Sequence, residues 1–366
     1  MKTFTSTILG IATVLSLSAF GCASDAVDDD NALQEGDVVA SEAELKAEQE
    51  DFSALDASDE ELAKASHAAK VFDNEFTLYA IAAPKLVGLS WKSPGALARR
   101  VLANEGLGAS NAIGHVQIGI DCAATATKPA VHIETGQSNV GDDFRKMVMG
   151  EKAGLGVMFR TIPGELQTAE DALATLDKQF GKGRATFVRN GVSSETCHAL
   201  VDYVREYQAR GVYKNYGFVR PSYQEGSGCS AFGMSAVKLA NLLEPYMENE
   251  WKFDVKIPMS LIGGTTNPGN RVGVLRLLLL GRPWAREGEP HLRLNGWDPT
   301  LMYKSIQQRA REGIANGSVT VQARGRSLGI VVDRRNVKAS SLLLSGTYFK
   351  GEPSTTDVNR FRTADF

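Results

Sequence analysis

The sequence predicts an α+β fold, and three observations carry that prediction. Runs with a two-residue apolar period and runs with helical period follow one another without regular βαβ alternation. Once an atypical N-terminus is set aside, a stretch of roughly 300 residues can hold one large core or two modest ones. Neither the run 8–20 nor the run 274–281 is long enough to span a bilayer as a helix.

The elements follow in order. "SPGALARRVLANEGLG" opens with Ser93 as N-cap and Pro94 at the first helical position, and stops at Gly106 or Gly108. Strand-like runs come next at 112–120 and 129–135, then a helix at 168–180, a strand in "RATFVRN" and a helix at 194–209. A glycine-led helix is expected over 228–244. Residues 252–280 read as strand-rich around the turn cluster "GGTTNPGN", with "VLRLLLLG" as a buried strand. Asp298-Pro299 caps a helix to about residue 315, strands follow near 318–323 and 327–333, and the tail from 350 reads as loose.

The N-terminus is a different material. Lys2 and the apolar run 8–20 make a secretory signal, and "SAFGC" ends it with Cys22. This resembles the lipobox of bacterial lipoproteins, which implies cleavage after residue 21, lipidation of Cys22 and, with Ala23 next, the outer membrane, on its periplasmic or surface side. Residues 23–64 carry fifteen acids against two lysines and no aromatic but Phe52, so the stretch 22–66 is expected to be a solvated tether. Removing the signal lysine and this stretch leaves 28 acidic against 37 basic residues, so a net charge of −3 hides a basic folded part. Such a surface suits an anionic neighbour, cell wall or lipid headgroups, and no basic–aromatic pattern points to nucleic acid. No metal-binding cysteine spacing and no cofactor motif is present; "GLGASNAIG" follows a helix and leads into a strand, the reverse of a phosphate loop.

Chemistry-bearing residues gather in three stretches. In "AIGHVQIGI", His115 shares a face with Gln117, and in "PAVHIETG", His132 shares a face with Glu134. Paired with their apolar faces aligned, the two strands put His115, His132 and Glu134 on one polar face. In "GSGCSAFG", Cys229 lies on the packing stripe of a helix but in its first turn, where free N–H groups and the dipole favour a thiolate. Asn267 and Trp297, in turn-like segments, are candidates to line a cleft.

A histidine strand, a polar residue on the next strand and a later cysteine opening a helix resemble the circularly permuted papain-like fold. That group includes relatives of NlpC-type cell-wall peptidases and of lecithin:retinol acyltransferase. The resemblance covers about residues 111–245 and implies a permuted core at 67–250 with an antiparallel sheet and a cysteine-bearing helix. Residues 251–366 are then a strand-rich extension, of the same or a second small domain. By the same resemblance Cys229 is the nucleophile, His115 its base and His132 the residue orienting that base, with Glu134 as the alternative. The implied reaction is acyl transfer through a thioester, with cell-wall peptides as the leading substrate and lipid esters, in a hydrolase or acyltransferase, as the alternative. A surface lipoprotein that binds cell wall or a partner without catalysis is the opposing class.

With Cys22 lipidated, Cys122, Cys197 and Cys229 remain, an odd number for an oxidising compartment. A Cys122–Cys197 bridge leaves Cys229 free, and the other pairings stay open.

Overall fold

The computed structural model describes residues 57–67, 70–83, 89–105, 113–279, 283–354 and 356–365. The expected signal peptide, Cys22 and most of the acidic stretch lie outside them. The acidic stretch does not stay solvated to its end. Ser58 caps a helix, α1 (Asp59–Lys64), through a reciprocal capping box with Glu61. Glu61 also pairs with Arg311, and Ser66 bridges to Gln322.

The fold is α+β, around a six-stranded sheet. Its strands are β1 (Glu75–Ile81), β2 (His115–Cys122), β3 (Val131–Thr135), β6 (Ala185–Gly191), β10 (Thr320–Arg324) and β11 (Ser327–Asp333). They lie in the order β10-β11-β6-β1-β2-β3, antiparallel except where β11 runs parallel to β6. The central strand β1, "EFTLYAI", was not anticipated. It is buried at every position, because both faces of the sheet are covered.

Helices α3 (Ala169–Gly181), α4 (Ser194–Ala209), α5 (Cys229–Leu239) and α8 (Pro299–Asn316) lie close to the sequence expectation, although α5 stops five residues early. Helices α4, α5 and α8 cover the sheet face formed by Phe76, Leu78, Val116, Ile118, Val188 and Ile330. Gly233 of α5 sits so close to β2 that a Cβ there would come 2.7 Å from Val116. On the opposite face, Leu176 and Phe180 of α3 pack against Tyr79 and Phe187. The C-terminal third is therefore no separate lobe: β10 and β11 complete the same sheet, and the described residues belong to one compact unit.

A second apolar cluster stands beside the sheet. It joins α2 (Pro94–Glu105), the β8 (Lys252–Pro258) and β9 (His291–Trp297) pair, and α7 (Val274–Leu279). Here the expectation of a strand at "VLRLLLLG" fails. The segment is a short helix against α2, with Leu277 buried while Leu275 and Arg276 face solvent. A run of leucines carries no period that separates a strand from a helix, and tertiary packing decided it. A minor sheet of β4 (Gln137–Asn139), β5 (Ile162–Leu166) and β7 (Asn215–Tyr216) also escaped the sequence pattern. The tail is less loose than expected: Ala364 is buried and its N–H donates to Asn295 Oδ1.

Candidate functional site

Cys229 opens α5, with Gly228 as its N-cap and no side chain capping the first turn. Its thiol is buried and free, whereas Cys122 and Cys197 form a disulfide. The strand β3 pairs with β2 only from Ile118 onward, and β4 turns off into the minor sheet. The edge of β2 at His115 and Val116 is therefore open to the start of α5. There the Val116 N–H and the His115 imidazole face the thiol, and both act to lower its pKa.

His115 is held from its far side. Its Nε2 lies 2.9 Å from Gln167 Oε1, which also accepts from Gln117 Nε2 at 2.7 Å. An amide oxygen only accepts, so Nε2 carries the proton and Nδ1 is the nitrogen available to the thiol. Gln167 is itself pinned, its N–H donating to Gly136 O and its carbonyl accepting from Thr135 Oγ1. Gly136 has to be glycine for this packing: a Cβ there would stand 2.7 Å from Gln167 Oε1 and 2.8 Å from His115 Nε2.

The electrostatics favour charge separation. Burial pushes the Cys229 thiol up, yet the His115 hydrogen bond and charge, with donors from Tyr216 and Val116, bring it down to about 7. Burial pushes His115 down, and the thiolate with Gln167 more than offsets that, so His115 is raised. The Tyr216 hydroxyl points at the sulfur, 3.7 Å away. Burial first, then the neighbouring thiolate, raise the phenol far above its ordinary value, so it remains a donor.

A cleft of about 510 Å3 opens onto the sulfur, walled by Trp91, Phe253, Trp297 and Asp298. Trp91 stacks on Phe253 with centroids 3.7 Å apart, and its Nε1 donates to Asp298 Oδ2. Trp297 thus lines the cleft as anticipated. Asn267 does not: its amide ties the Met259 and Ile262 carbonyls of a turn.

Two of the expected site residues are elsewhere. The register sets His132 opposite Asp121, six residues along β2 from His115, or roughly 20 Å. His132 shares the sheet face but not the site; it is half exposed and bonded to Asp121 at 3.0 Å. Glu134 lies opposite Gly119, roughly 13 Å from His115 by the same rise, and accepts from the Tyr79 hydroxyl. The residue that orients His115 is Gln167, 52 positions further along the chain. The one sequence signal for it was indirect: Gln117, sharing the face of His115, marks that end of β2 as amide-rich.

No family model, curated protein or solved structure matches this chain. The geometry alone bears on its chemistry.

Proposed function

We propose that Cys229, His115 and Gln167 form a thiol acyl-transfer site of papain-like type in permuted order, working as a hydrolase. The observation that carries this reading is the free, buried thiol at a helix N-terminus, lowered to about 7 by an imidazole whose other nitrogen is fixed by an amide. A buried structural cysteine has no such partner and is raised by its surroundings.

In the first step the Cys229 thiolate attacks a substrate carbonyl, forming the C–S bond. The α5 first-turn N–H groups and the Tyr216 hydroxyl are the donors near the developing oxyanion. Collapse of the tetrahedral species breaks the bond to the leaving group, which takes the proton from His115. Water then gives its proton back to His115 and attacks the thioester, releasing the acid and the thiol. The Cys122–Cys197 disulfide and the lipobox-like Cys22 support placing this chemistry in an exported, membrane-anchored protein.

Brief reaction with an activated ester, quenched in acid, is expected to add one acyl mass to the wild-type chain, mapped to Cys229. An adduct that persists in Cys229→Ala, or none in wild type, removes the reading.

A further inference from the structure

A second, larger pocket adjoins the thiol cleft. It encloses about 980 Å3, part of it open to solvent. Its walls come from α2, α7, the turn at 155–159 and β5, and include Leu97, Val101, Leu155, Val157, Met158 and Leu277. Among the described residues, the only charged side chain lining it is Arg160, whose guanidinium is paired with Glu151. The pocket thus offers almost no polar group to a ligand.

Its position gives it meaning. Leu89, Ile113, Tyr216, Gly217 and Phe218 line this pocket and the cleft over Cys229 alike. Tyr216 therefore reaches the sulfur with its hydroxyl and stands at the mouth of the apolar chamber. Gly217 keeps that passage narrow in backbone and free of side chain: a Cβ there would stand 2.7 Å from Arg160 O. A group bonded to a carbonyl at Cys229 can continue directly into the chamber. Peptide side chains and amides bring hydrogen-bonding groups that these walls cannot meet, at a desolvation cost for each. An unbranched hydrocarbon chain brings none, and gains with every methylene buried.

We infer that this pocket holds the aliphatic chain of a long-chain acyl ester whose carbonyl reacts at Cys229. The inference rests on the nucleophile reading above and names its substrate class. The alkoxide of the ester leaves with the His115 proton, and water releases a fatty acid from the thioester.

Two measurements on the full chain test it. The first compares p-nitrophenyl acetate, butanoate and dodecanoate. We expect kcat/KM to rise at least tenfold from butanoate to dodecanoate. The pocket-filling variants Ala98→Phe and Val274→Trp should lose that gain while keeping acetate turnover, which also shows that they fold. The second measures binding of the fluorescent fatty acid cis-parinaric acid to Cys229→Ala, which should saturate and weaken in the same variants. Acetate turnover without chain-length dependence, together with no parinarate binding, overturns the acyl-chain inference and leaves the thiol site standing. Faster cleavage of wall-type peptide amides than of the dodecanoate also overturns it. No turnover of any ester overturns the thiol reading itself.

Discussion

Gln167 acts on the thiol only through His115, which it holds by one hydrogen bond. Gln167→Ala should lower kcat by roughly tenfold or more and broaden or shift its pH profile, since the imidazole loses its fixed tautomer. Gln167→Glu should restore orientation in part and move the alkaline limb upward, an effect that loss of folding would not produce. Glu134 makes a separate prediction about stability. Burial raises its carboxyl to about 7, against the Tyr79 hydrogen bond and nearby cations. The folded chain then holds a proton that the unfolded chain releases near its ordinary carboxylate value. Stability therefore falls as pH rises from about 4.5 to 7 and stays reduced above. Glu134→Gln should remove that loss, and chemical denaturation at pH 8 should find the variant about 1–3 kcal/mol more stable than wild type. Equal pH dependence in both proteins would contradict this account of Glu134.

At the scale of elements, much of the site was legible and its partners were not. Helix α5 and strand β2 could be read from glycine punctuation and period, and so could the placement of Cys229 at the helix start; the strand was expected from residue 112, whereas β2 begins at His115. Alternation also put His115, His132 and Glu134 on one face correctly. Register decided the rest, and register is set by where β3 begins to pair, which no local pattern records. Gln167 was invisible for a related reason: it precedes the Thr168 N-cap of α3 and comes to His115 through the minor sheet of β4 and β5. The disulfide is the element-scale staple, closing 75 residues between β2 and α4. Replacing Cys122 and Cys197 with alanine should cost about 2–5 kcal/mol in denaturant unfolding. The alkylation rate of Cys229 in the folded variant should remain that of wild type, because the bridge lies at the far end of β2 from His115.

For the molecule as a whole, the basic balance of the folded part, the disulfide and the lipobox-like N-terminus support the proposal of a catalyst tethered at a membrane. Cys22→Ser should move the protein from the membrane fraction to the soluble one; retention at the membrane, with no lipid on the wild-type mass, would count against anchoring. The joining of β10 and β11 to the central sheet explains why the last hundred residues could not be read as a domain of their own. Of these two strands β11 pairs with β6, across more than 120 positions of sequence, and β10 pairs with β11. The central claim, however, concerns one pair of atoms, the Cys229 sulfur and the His115 imidazole. Its most direct test is the pH dependence of Cys229 alkylation by iodoacetamide, in wild type and in His115→Ala. The account predicts a wild-type rate that rises through about pH 7, where the thiol is held. In His115→Ala the midpoint should move up by at least one unit, toward or beyond the roughly 8.5 of an unassisted thiol, because only the Tyr216 and Val116 donors then oppose burial. Superimposable profiles would show that the two residues are not a working pair.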